Sequence, residues 1–186
     1  MENIKLTKGR QEKTSTEGVT FRVPSVLLDK LRNESENKQV SLNTLVNQIF
    51  KEHTQFHSFA TQARLYYITK SFAARLVNAL SEEELIKIAE ETAKKDFVDM
   101  VLLIKGEFTL PAFIDVLEIW LTIGGPMSFK HTVEAGIHTF IIRHDSGGKY
   151  SFLVQNILKT ILEDLFDTKT KFVSTENNVV LKIEMK

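Results

Sequence analysis

Cysteine is absent from the 186 residues, proline occurs three times and tryptophan once, and 24 basic side chains are cancelled by 24 acidic ones. Without cysteine there are no disulfides and no thiolate metal sites, which fits a reducing interior. Without net charge there is no global attraction to a polyanion, so a nucleic-acid contact must come from the placement of a few side chains. Residues 1–54 hold nine Lys/Arg against seven Asp/Glu and the remainder fifteen against seventeen, a polarity too weak to alter that. A long apolar run is missing too. The most apolar stretch, FTLPAFIDVLEIWLTIGG, is interrupted by Asp115 and Glu118 and closed by Gly124 and Gly125. Its helical part falls short of the ~20 residues a bilayer requires. The opening MENIKLTKGRQEKTSTEG has no apolar core and does not read as a signal peptide. A cytoplasmic protein with no membrane partner is expected.

What is present is patterned. Residues 1–17 are polar and read as a flexible tail. From there Val19, Phe21 and Val23 alternate with Gly18, Thr20 and Arg22, the signature of a half-buried strand, which Pro24 ends. SVLLDKLRNESENK and VSLNTLVNQIFKEH follow as two helices. The first carries Leu27, Leu28 and Leu31 on one side; the second is capped by Ser41 and striped by Leu42, Leu45, Val46 and Ile49. One strand and two short helices cannot bury their apolar faces alone, so this unit must pack on the rest of the chain or on a second copy.

Beyond residue 56, FATQARLYYITKSFAARLVNAL reads as a long amphipathic helix, and Ser81 with Glu84 as a capping box opening another through about Leu103. Thr109 and Pro111 start the helix that contains Trp120, and GGP stops it. MSFKHTVEAG is expected to form one or two helical turns, IHTFIIRHD a strand, SGGK a turn, and YSFLVQNILKTILEDLF a helix. The end reads as a hairpin about Asn177–Asn178, pairing Phe172 with Ile183 and Lys171 with Glu184. The fold class expected is α+β, with a helical C-terminal domain that carries a small antiparallel sheet.

Residues 18–54 resemble a ribbon-helix-helix domain of the Arc/MetJ class. The resemblance rests on an alternating strand, a proline at the helix entrance, a leucine-bearing first helix and a Ser-capped second one. It implies an intertwined homodimer whose two strands form a ribbon in the major groove of double-stranded DNA. Gly18, Thr20 and Arg22 would face the bases, Arg22 with the fork geometry for guanine O6 and N7. Ser41, Leu42 and Asn43, at the second helix's N-terminus, would hold a phosphate. Val19, Phe21, Val23, Leu28, Leu31, Leu45 and Ile49 would form the dimer core. The family often has glycine between the helices; here Asn37 would supply the left-handed residue. The domains expected are therefore the tail 1–17, a DNA-binding domain 18–55, and an α+β domain 56–186. The last would oligomerise the protein, bind a small-molecule effector, or both.

The function implied is that of a dimeric, sequence-specific transcriptional regulator, a repressor by resemblance and not an enzyme. An antitoxin of a toxin–antitoxin pair would use the same DNA-binding fold but a short flexible tail, where this chain has about 130 residues with helical stripes. A small-molecule-binding module without DNA contact is the second alternative, favoured if the chain is monomeric, since one chain cannot form the ribbon. Other constellations carry less. His138 and His144 lie six apart, ~20 Å along a strand, too far for one ion unless subunits share it, and no metal or cofactor is expected. RHDSGGKYS has Arg143 where a phosphate loop needs glycine and Tyr150 where it needs Ser or Thr, so a strand-to-helix turn is expected. No nucleophile elbow or metalloprotease motif is present.

Overall fold

The structure is a computed structural model, which describes residues 16–60, 62–124 and 127–184; most of the expected tail lies outside them. The protein is α+β, with helices and one four-stranded antiparallel sheet. It divides into two compact units, Met1–Val46 and Asn47–Lys186, so the division falls inside a helix, earlier than residue 55.

In the first unit, α1 (Ser25–Asn37) starts where Pro24, at φ −53°, turns the chain, its carbonyl accepting from the N–H groups of Leu27 and Leu28 at 3.0 Å each. The helix stops in a Schellman motif. Gln39 N–H donates to the Glu36 carbonyl and Val40 N–H to that of Ser35, both at 3.0 Å. The left-handed residue is Gln39, at φ 54°; Asn37, expected in that role, stays in the helix. Ser41 then caps α2 (Leu42–Glu52), its Oγ accepting from Thr44 N–H at 3.0 Å. Residues 16–24 belong to no helix or strand, so the strand expected over 18–23 is not formed within the single chain. A ladder requires a second strand, which the expectation assigned to another copy.

In the second unit the helical path continues through a π-helical turn, His53–His57, into α3 (Ser58–Ala60). The long helix expected over 59–80 does not form. Leu65 N–H closes on the Ala60 carbonyl at 2.9 Å, Arg64 turns left-handed at φ 54°, and residues 65–69 are irregular. A new helix, α4 (Lys70–Ala79), starts at Thr69, whose hydroxyl accepts from Phe72 N–H. The run Leu65-Tyr66-Tyr67-Ile68 is four large residues in a row, more than one helical stripe can seat, and Tyr66 and Tyr67 are exposed.

The Ser81–Glu84 capping box is present and opens α5 (Glu82–Glu91), which passes through a π-helical turn, Thr92–Phe97, into α6 (Val98–Lys105). Thr109 caps α7 (Leu110–Ile119), its side chain accepting from Ala112 N–H, and a further π-helical turn covers Trp120–Gly124. MSFKHTVEAG is a strand, contrary to the helical expectation. β1 (Ser128–Glu134) joins β2 (Ile137–Arg143) through Ala135 at φ 50° and Gly136 at φ 77°. Positive φ at both central residues gives the primed turn whose twist suits a two-residue hairpin.

After α8 (Gly148–Lys159) and its π-helical extension Thr160–Leu165 come β3 (Thr170–Ser174) and β4 (Asn178–Glu184). The sheet order is β1-β2-β4-β3. The last hairpin turns at Glu176–Asn177, so Phe172 faces Leu181 and Lys171 faces Lys182. The expected pairs, Phe172 with Ile183 and Lys171 with Glu184, are displaced by two residues. A slip of two leaves every side chain on the same face, so alternation alone did not fix it.

Alternate residues of the sheet define its buried face. Phe140, Ile142, Val179, Leu181 and Ile183 join Phe113 and Leu117 of α7 and Leu158, Ile161 and Leu162 of the last helix in one core. Leu181→Ala should cost about 2–5 kcal/mol, since it leaves a cavity in a layer with no room to relax. A urea midpoint within error of the parent would contradict this packing. Gln39→Gly should stabilise the protein by up to about 1 kcal/mol by removing a left-handed side chain, and a lowered melting temperature would contradict it.

Candidate nucleic-acid interface and polar clusters

Gly18, Thr20 and Arg22 are all exposed, in the irregular segment ahead of α1. A Cβ added at Gly18 would meet nothing within 4 Å, so nothing in this chain requires glycine there. The residues expected to face a dimer core divide into two groups. Leu45 is buried, and Leu28 and Leu31 are half-buried. Val19, Phe21, Val23 and Ile49 are exposed, the first two at 66 % and 61 %.

Ser41, Leu42 and Asn43 lie together at the start of α2. Ser41 Oγ accepts from Thr44 N–H and lies 2.8 Å from Thr44 Oγ1. No acidic side chain occupies the first turn, so the positive end of the helix dipole is not offset there by a carboxylate of its own. The exposed apolar alternation and this helix start both lie within residues 19–43, on either side of α1.

His138 and His144 lie in separate clusters, and His138 meets His131 across the β1–β2 pair. His131 Nδ1 bonds Glu118 Oε1 of α7, and its Nε2 lies 3.0 Å from His138 Nδ1. Since the carboxylate accepts, neutral His131 donates from Nδ1 and accepts at Nε2, and His138 donates from Nδ1. His131 also stacks on Phe140 with ring centroids 4.0 Å apart. Among the described residues no group of three or more His, Asp or Glu side chains is arranged to hold a metal ion. Two-residue hairpin spacing was the signal that would have paired His131 with His138, and reading β1 as helix hid it.

His144 lies just beyond β2 and is buried. Ser146 N–H donates to its Nδ1 at 3.2 Å, so the neutral ring carries its proton on Nε2 and donates to Ser151 Oγ at 2.8 Å. Ser151 in turn donates to the Glu176 carbonyl at 3.3 Å. This polarity is the reverse of a nucleophile–base pair, in which serine gives its proton to histidine. The cluster ties the start of α8 to the last hairpin. The glycine turn acts likewise. Gly147, at φ 89°, precedes α8, and Lys149 Nζ donates to the carbonyls of Asn78 and Leu80 at the end of α4. The lysine of the loop that superficially resembles a phosphate site thus caps a helix.

Burial lowers the pKa of His138 below 6.5, with His131 adding to the effect and Glu118 opposing it. Burial also lowers that of His144, with Lys70 adding and Asp145 opposing. A depressed folded-state value means the unfolded chain binds protons first. The stability is fully present above pH 6.5 and is lost as pH falls from there through the folded-state values. Denaturant midpoints should therefore drop on acidification in this window. The drop should shrink in His144→Asn, which cannot titrate; an identical pH dependence in that variant would remove His144 from the account.

No protein-family model matches this chain, and no curated protein matches it.

Proposed function

We propose that the protein is a sequence-specific DNA-binding regulator of the ribbon-helix-helix type that acts as a homodimer. One observation carries the reading. Val19, Phe21 and Val23 alternate along a segment that belongs to no helix or strand, and they are 66 %, 61 % and 39 % exposed. Val26 and Leu27, at the start of α1, are exposed as well. A run of exposed apolar side chains of this kind is the mark of an interaction site. A second copy covers it economically: two such segments pair antiparallel, bury the valine–phenylalanine face, and complete a core around Leu28, Leu31, Leu45 and Ile49.

The opposite face of such a ribbon carries Thr20 and Arg22. A two-stranded ribbon fits the major groove, where Arg22 makes a bidentate bond to guanine and Thr20 offers a hydroxyl or a methyl to a base edge. The starts of the two α2 helices then meet the flanking phosphates, with backbone donors and the dipole in favour of the anion. Two-fold symmetry requires a palindromic site. With no net charge to supply attraction, specificity rests on these few placed groups.

Arg22→Ala should weaken binding to a selected duplex by about 1–3 kcal/mol and relax its sequence preference. Unchanged affinity and preference would exclude Arg22 from base contact. Phe21→Asp should yield a monomer by sedimentation equilibrium together with loss of duplex binding. A parent protein that is itself monomeric at micromolar concentration would sink the ribbon.

A further inference from the structure

Three features of the second unit converge on one place. Helix α3 is stopped by the left-handed Arg64, at φ 54°, where glycine would fit without steric penalty and arginine does not. The helical path from α5 to α6 widens into a π-helical turn at Thr92–Phe97, and the path from α7 does so at Trp120–Gly124. Such turns disturb regular hydrogen bonding and recur at functional sites. Residues from all three border a cavity of about 770 Å³. That volume lies in the range of small-molecule sites.

The lining has a distinct chemistry. Phe97 and Trp120 meet edge to face, with ring centroids 5.5 Å apart, and Met100 and Leu103 extend the apolar floor. The other lining groups include two cations, Arg64 and Lys95, and two anions, Asp96 and Asp99. Asp96, Asp99, Met100 and Leu103 recur at helical spacing, so one helix face presents both the apolar and the acidic part. Among the described residues none of the four charged side chains makes an ion pair.

We propose that this cavity binds a small zwitterion with an aromatic or large apolar body, of which an aromatic α-amino acid is the simplest example. The body lies on Phe97 and Trp120. The carboxylate meets Arg64 and Lys95, and the ammonium meets Asp96 and Asp99. All four charged side chains are exposed, so a neutral ligand of the same shape would seat its body on the apolar floor and gain nothing from them. A ligand with one charge would engage one pair and leave the other to water. A zwitterion compensates both signs at once. This assignment does not depend on DNA binding, and it gives a chemical class to the effector that a regulator would sense.

Trp120 is the sole tryptophan, so the full-length protein reports on the cavity by its own fluorescence. The titration compares phenylalanine with phenylacetate, phenethylamine and benzyl alcohol, which keep the ring and remove one charge or both. Phenylalanine should change Trp120 emission saturably and bind at least about tenfold more tightly than each of the other three. Arg64→Gly relieves the left-handed strain, so it should raise the melting temperature while weakening phenylalanine about tenfold and leaving phenethylamine unchanged. Asp99→Asn should weaken both amines and leave phenylacetate unchanged. The proposal is overturned by an absent saturable response to phenylalanine, by benzyl alcohol binding as tightly, or by full phenylalanine affinity in Arg64→Gly.

Discussion

Burial of one face of the four-stranded sheet is the constraint on which the rest of residues 47–186 depends. β2 and β4 are the inner strands, and their inward residues, Phe140, Ile142, Val179, Leu181 and Ile183, are sealed under α7 and the last helix. A sheet alternates strictly, so that choice fixes the other face, where Lys171, Lys182 and Arg143 are exposed. It also fixes what must happen at the rim. His131 and His138 share the inner face, opposite Phe140 and Val133 in register. There each ring needs a partner for every nitrogen withdrawn from water. Glu118 reaches from α7 and satisfies the chain of donors, so the polar cluster is a consequence of the apolar one.

Residues 16–46 obey the same rule with the opposite outcome. Ser35 and Leu45 are the buried side chains among them, and Leu28, Leu31, Leu42 and Val46 are half-buried. Each helix is well terminated, by Pro24, by the stop at Gln39 and by the Ser41 cap. Local signals thus specify two helices whose apolar seam is too small to be a core. Good caps with little burial are what a fold completed by a second chain would look like, and this physical deficit, more than the resemblance, motivates the dimer.

Legibility in the sequence followed the range of the interactions. Caps act within four residues, and Ser41, Ser81 and Thr109 all cap the helices expected of them. The α8 helix was equally plain, because a helix buried on one side repeats its pattern for three turns. β1 was missed although Ala135-Gly136 separates two alternating runs; the polar residues Lys130, His131 and Thr132 masked its strand character. The break after Ala60 was missed because Leu65, Ile68, Phe72 and Leu76 sit at helical spacing by coincidence. The site residues divide in the same way. The N-terminal set lies within residues 18–43 and could be proposed from sequence alone, whereas Glu118–His131–His138 and the lining of the 770 Å³ cavity are assembled from distant segments.

Two cavities of the second unit each border a left-handed helix stop. Arg64 stops α3 and Asp167 stops the last helix, each left-handed, at φ 54° and φ 48°. The residue after each stop folds back on the turn it leaves, Leu65 N–H donating to the Ala60 carbonyl at 2.9 Å and Thr168 N–H to the Leu162 carbonyl at 2.8 Å. One hollow, of about 710 Å³, includes Asp167 and lies beside β3, where Thr170 Oγ1 donates to Glu163 and the lining, Ile137 apart, is hydroxyls and charges. Water fills such a space at little cost. The other has an aromatic floor that water serves poorly and four charges that make no ion pair among the described residues. The lining gives only the second a reason to be occupied by something other than water.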